Sequence, residues 1–330
     1  MTAPPPPLLL FLGDSWAAAD RYAEPIQRLG ERLGVTAVPG GGNGFTACRI
    51  GVTAPSTWAQ RRHASFREAR VAVILSGIND LRDRSLLDQP DFRPERSAPL
   101  PALLLGCWLL HLKHLFSTTP SLHIVQLSYD LLCTEGSMYR WAQAACTAEQ
   151  LKQAPAPCYH SPLLRLQRDL AELHAMVESL MGVRPEASGA RSPANLATTQ
   201  GWNLTEFRGV FRRAHACGGS FRALNVQGAM QAAGGVAGAA IGHPVEDVFA
   251  PTRFFDRDVA PPTPQKLGNM SRSQQLRWNR TADFRAAAAR DCLHPNVEGY
   301  GVLLDAVARR LQPQLAVARR APERCSHAYR

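Results

Sequence analysis

The chain lacks a C-x-x-C pair, a long block of like charge, an internal repeat and an apolar run of bilayer length. Each absence removes a class of protein. The cysteines are Cys48, Cys107, Cys133, Cys146, Cys158, Cys217, Cys292 and Cys325. Their spacing matches neither a zinc ribbon nor a dithiol redox motif. They read as mostly buried free thiols, with Cys133, Cys146 and Cys158 able to cross-link a loop region in an oxidising compartment. The longest apolar run, PLPALLLGCWLLHL, has about a dozen residues and falls short of the ~20 that span a bilayer. It reads as a buried helix. The opening MTAPPPPLLLFLG lacks the positive n-region of a signal peptide. The expectation is a soluble protein, cytoplasmic by default. Sequons at Asn203, Asn269 and Asn279 matter only if the chain is secreted.

Charge is plentiful but dispersed. Lys and Arg number 37 against 27 Asp and Glu, a net charge of +10. Such a balance favours anionic partners. Yet the basic residues come at most in pairs, as at Arg61-Arg62, Arg212-Arg213, Arg309-Arg310 and Arg319-Arg320. No recognition motif accompanies them, so no specific nucleic-acid partner is expected. A hydrophobic fraction of 45 % in 330 residues supports a full core.

Apolar runs alternate with helical patterns. Leu8 to Leu12 reads as a strand buried on both faces and Ala17 to Leu33 as a helix. Val35 to Pro39 is the second strand, STWAQRRHASF a helix, Ala69 to Asp80 a strand ending in a turn, and the Leu-rich run to Phe116 a helix. Ser121 to Asp130 and Ser220 to Met230 are the fourth and fifth strands. Between them a helix begins at Ser161-Pro162, the serine as cap and the proline as first residue. NVEGYGVLLDAVARRLQPQL, from Asn296 to Leu315, reads as a closing helix. Strands alternating with helices predict a mostly parallel sheet covered on both faces. One domain is expected over 1–312, with insertions near 131–160, 183–219 and 231–290, and a basic tail over 313–330.

In such a sheet, ligands gather beyond the carboxyl ends of the strands. The first strand is followed by Gly13-Asp14-Ser15, the second by GGGNG, the third by Gly77-Ile78-Asn79-Asp80. Asp291 and His294 stand just before the last helix. A serine hydroxyl needs a base, and an imidazole serves near neutral pH. The imidazole needs a partner on its other nitrogen, for which Asp291 is well spaced. Attack on an ester creates an oxyanion, and fixed donors aimed at it contribute on the order of 3 kcal/mol each. The N–H groups of Ser15 and Gly44 and the amide of Asn79 supply three.

FLGDSW, GGGNGFT, GIND and DCLHPNVEGY, in that order, resemble the four signature blocks of the SGNH hydrolase superfamily, the GDSL esterases and lipases. The blocks frame nearly the whole chain. The resemblance implies a three-layer α/β/α sandwich of flavodoxin-like type around a five-stranded sheet. It implies Ser15 as nucleophile, His294 as base, Asp291 as third triad member, and Ser15, Gly44 and Asn79 as the oxyanion hole. Gly44 aligns when Thr46 matches the common threonine; Gly42 is the alternative. Trp16 stands where leucine is usual. DCLH also resembles a related group that modifies polysaccharide acyl groups.

Each residue has a plainer reading. Ser15 can cap the following helix, Asp291 can cap the last helix, and Asn79 can serve only its turn. Asp14 and Asp80 read as turn supports. His111 and His114, three apart on one helix, read as packing or surface residues, and no metal or cofactor is expected. Trp58, Trp108, Trp141, Trp202, Phe254, Phe255 and Trp278 can line a pocket or fill the core. The leading function is hydrolysis of a lipid, carbohydrate or small-molecule ester through an acyl-enzyme. The alternatives are acyl transfer to or deacetylation of a glycan at the same site, and a silent basic binding protein on this scaffold. Oligomeric state is not legible.

Overall fold

Five consecutive apolar residues from Leu8 open the strand about which the sheet is built. The computed structural model describes residues 6–42, 45–47, 50, 68–80, 102–133, 147–185, 192–193, 203–257, 290–320 and 325. Strand β1 spans Leu8–Ala18, helix α1 Ala19–Leu33, β2 Thr36–Gly41, β3 Ala69–Leu75 and α2 Ala102–Thr118. Then come β4 (His123–Leu127), α3 (Ala148–Gln153), α4 (Pro155–Met181), α5 (Leu204–Ala216) and β5 (Ser220–Leu224). The chain closes with α6 (Ala229–Ala233), β6 (Phe255–Arg257), β7 (Arg290–Pro295) and α7 (Val297–Arg320).

The main sheet has the order β2-β1-β3-β4-β5 and every pairing is parallel. Helix α1 packs on α7, while α2, α4 and α5 pack on one another, giving helical layers on both sides. This covering explains the unbroken apolar strands. Leu9, Phe11, Val71, Val73 and Ile74 have no exposed surface, and burying each such side chain contributes about 1.5–3 kcal/mol. The expected parallel, doubly covered sheet is thus present. STWAQRRHASF lies outside the described residues.

Element ends differ from expectation for identifiable reasons. Helix α4 starts at Pro155, not at Ser161, with proline at the first helical position and Pro162 inside the helix. The added turns bury Ala156, Cys158 and His160, which offsets the lost N–H of Pro162. Strands β4 and β5 are both shorter than read, and polar side chains capture the backbone beyond β5. Asp130 accepts from Gly228 N (2.6 Å) and Met230 N (2.8 Å), and Asn225 Oδ1 accepts from Gln227 N (3.0 Å). Helix α5 occupies part of the expected 183–219 insertion and packs on α2 and α4.

At the carboxyl end, α7 runs through position 313, where a tail was expected to begin, and Leu315 is buried. The cysteines also depart from expectation. Cys217 and Cys325 form a disulfide, and Cys107, Cys133 and Cys158 are disulfide-bonded too. Pairing depends on spatial proximity, which spacing does not encode. No described helix is long and apolar enough to cross a membrane.

Candidate active site

The site begins where β1 leaves its pairing with β3. Gly13 has φ +146°, and a Cβ there would lie 1.8 Å from the Leu75 carbonyl oxygen. Only glycine fits. The turn then presents Asp14, Ser15 and Trp16. Asp14 is fully buried; its carboxylate accepts from Trp16 N (3.0 Å) and from the Tyr129 hydroxyl. Burial pushes Asp14 up to about 7, although both hydrogen bonds favour its charged form. Burial, and then the Asp14 charge, push Tyr129 well above its ordinary value. Asp14 therefore fixes the local backbone, as its turn-support reading anticipated.

Ser15 does not cap α1. The N-cap position is Ala18, with no side-chain capping bond. Ser15 is 5 % exposed, and its Oγ lies 2.9 Å from His294 Nε2. The two residues are separated by 279 positions.

His294 arrives on β7, which pairs antiparallel with β6, and is mounted from several directions. Pro295 O accepts from the Tyr22 hydroxyl at 2.8 Å, and the Tyr300 hydroxyl donates to Trp16 O. The Tyr22 and Tyr300 rings stack with centroids 3.9 Å apart. These contacts tie the histidine segment to both α1 and the serine turn. Asn296 caps α7, its Oδ1 accepting from Gly299 N at 2.9 Å, while its own N–H donates to Phe254 O at 2.9 Å. Asp291 lies on β7, three residues before His294; its side chain is outside the described residues.

The third component follows β3. Gly77 has φ +125° and packs under Trp108. Beyond it, Asn79 Nδ2 donates to Phe45 O (3.0 Å), and Asp80 accepts from Ala47 N at 2.6 Å. Asn79 and Asp80 thus tie down the loop after β2. Gly42 N donates to Gly13 O at 3.2 Å, joining that loop to the serine turn. Gly44 lies outside the described residues.

Three residues escaped the sequence reading as contributors. Tyr300 stood within the quoted DCLHPNVEGY block, but Tyr22 and Tyr129 had no local signal. Trp108, Phe254 and Phe255 are buried core residues; Trp58, Trp141, Trp202 and Trp278 lie outside the described residues. Among the described residues, no three His, Cys, Asp or Glu side chains cluster to hold a metal. Burial, then His114, lower His111 to about 3.

No family model and no curated protein matches the chain. Among solved structures, a possible lipase from Chitinophaga pinensis is 14 % identical, covering 94 % of this chain and 99 % of that one at a TM-score of 0.39. A catalytic mutant of an acetylxylan esterase from Geobacillus stearothermophilus is 14 % identical, with 94 % and 95 % covered and a TM-score of 0.37. A carbohydrate esterase family 3 protein from Talaromyces cellulolyticus is 11 % identical, with 96 % and 99 % covered and a TM-score of 0.37. At these values the functional reading rests on the side chains themselves.

Proposed function

We propose that the chain is a serine hydrolase of SGNH type that cleaves a carboxylic ester through an acyl-enzyme. The observation that carries this reading is the 2.9 Å contact between Ser15 Oγ and His294 Nε2. That distance lets the imidazole take the hydroxyl proton. The absence of any helix-capping role for Ser15 supports the same reading.

In the proposed reaction, Ser15 Oγ attacks the ester carbonyl while its proton passes to His294 Nε2. Asp291 holds the other ring nitrogen and stabilises the imidazolium. The tetrahedral oxyanion takes hydrogen bonds from the Ser15 N–H, the Gly44 N–H and the Asn79 amide. His294 then gives the proton to the leaving alcohol. Water, deprotonated by the same imidazole, attacks the acyl-enzyme and releases the acid. No cofactor or metal enters these steps.

Hydrolysis of short p-nitrophenyl esters tests the reading, with a fluorophosphonate probe as covalent readout. Ser15→Ala is expected to lose about 10⁴-fold or more of kcat and all labelling. A variant retaining full activity overturns the assignment. Wild type that neither turns over any ester across acyl-chain lengths nor accepts the probe favours the silent scaffold. Incubating an acyl donor with a glycan separates the remaining alternative: a glycan that gains mass marks transfer, and released acid marks hydrolysis.

A further inference from the structure

We propose that Asn203 is the acceptor of an N-linked glycan, and that the chain matures in an oxidising compartment of secretory type. Two independent observations meet on helix α5. The first is at its amino end. Asn203-Leu204-Thr205 is a sequon, and both Asn203 and Thr205 are exposed. Asn203 is also the N-cap, its Oδ1 accepting from Glu206 N at 3.2 Å. The cap uses only the oxygen. An N-linked glycan uses only the nitrogen.

The covalent step is compatible with the folded geometry. A bond forms between Asn203 Nδ2 and the anomeric carbon of a glycosyl phosphate donor. The bond from that carbon to the phosphate oxygen breaks, and one amide proton departs as the phosphate leaves. The product amide keeps Oδ1 as an acceptor, so capping and glycosylation coexist on one side chain. Serine, threonine or aspartate would cap α5 equally well, but none offers this nitrogen.

The second observation is at the other end of α5. Its C-cap residue is Cys217, bonded to Cys325. Cys107, Cys133 and Cys158 are also in disulfides, and no described cysteine is free. Structural disulfides persist in oxidising compartments and are rare where thiols are kept reduced. The pairing thus supplies the condition under which the sequon has chemical meaning, and it replaces the cytoplasmic default drawn from the amino-terminal residues. The esters that reach Ser15 would then be lumenal or extracellular ones.

The test does not depend on esterase activity. The full chain is secreted from a eukaryotic host behind a cleavable leader, then treated with peptide N-glycosidase and mapped by mass spectrometry. A mobility shift is expected, with Asn203→Asp conversion in the released peptide. Thr205→Ala and Asn203→Asp both abolish modification at this position, and the first leaves the cap intact. Alkylation of the denatured, unreduced chain labels none of Cys107, Cys133, Cys158, Cys217 and Cys325. Secreted chain bare at 203, or glycans on Asn269 or Asn279 alone, overturns the assignment of Asn203. Chain from its native cells with these five thiols open to alkylation overturns the compartment.

Discussion

In the proposed reaction the chemistry at Ser15 depends on two residues from distant parts of the chain, and each makes a separable demand. His294 must reach Oγ, which it does at 2.9 Å. Asn79 must aim its amide while holding the Phe45 carbonyl. Asn79→Ala removes the proposed oxyanion donor and is expected to lower kcat by about 10²–10³-fold with a small change in KM. Steady-state kinetics on one p-nitrophenyl ester checks it; an unchanged kcat places Asn79 outside the oxyanion hole. Asp14 leads to a different measurement. In the folded chain it keeps its proton up to about 7, against 3.8 for an ordinary aspartate. Between those values the folded state binds the extra proton, so stability falls as pH rises through that window. Asp14→Asn removes this slope: the melting temperature of wild type should drop relative to the variant from about pH 4 to 7. His111 and His160, held neutral by burial to about 3 and about 4, act in the opposite sense over an overlapping range. The comparison is therefore variant against wild type at each pH. Parallel curves sink the claim.

At the scale of elements, the β7–α7 segment acts as a mount, and its precision comes from tyrosines rather than from the histidine loop alone. Tyr300 reaches back to Trp16 O, one residue past Ser15, and stacks on Tyr22, which holds Pro295 O. Tyr300→Phe keeps the stack and deletes the hydrogen bond. The expected result is a loss of about 1 kcal/mol in stability. The expected kcat loss is larger than that implies, up to about 10²-fold, because Ser15 and His294 are no longer held in register. Denaturant melts beside kinetics separate the two, and equal small effects on both would assign Tyr300 to packing only. The elements show which features were legible. Five strands could be read because burial on both faces demands unbroken apolar runs such as Leu8 to Leu12. The end of β5 could not, because Asp130 and Asn225 capture the backbone beyond it, from far along the chain or across a turn. The start of α4 differs because Ser161-Pro162 has the form of a helix start, while the buried residues Ala156, Cys158 and His160, one to five positions upstream, decide the matter. The approach of His294 to Ser15 was legible through the order of their motifs. Tyr22 and Tyr129, single aromatics in unremarkable surroundings, became visible only when the fold brought them to the site.

Over the whole molecule, one constraint not written in any motif is the Cys217–Cys325 disulfide. It closes a loop of 108 residues in sequence. That loop contains β5, the histidine strand β7 and the helix α7 that mounts it. One end of the loop is the C-cap of α5, which packs on α2 and α4; the other follows α7, which packs on α1. The bond therefore bounds the segment that must deliver His294 to Ser15. In the chain-entropy account, cross-linking a loop of this length removes unfolded-state freedom worth about 4–5 kcal/mol. Cys325→Ser is expected to lower the free energy of unfolding by that order, with a reduced denaturant midpoint and an unfolded state more exposed than wild type. Because Ser15 and the Asn79 turn lie on β1 and β3, outside the closed loop, the variant should keep its sheet while losing fluorophosphonate labelling at temperatures where wild type still reacts. Circular dichroism and probe labelling followed together through a thermal ramp would resolve this. Coincident loss of both signals would mean that the closed loop and the sheet unfold as one unit, and that the disulfide stabilises the fold without a particular hold on His294.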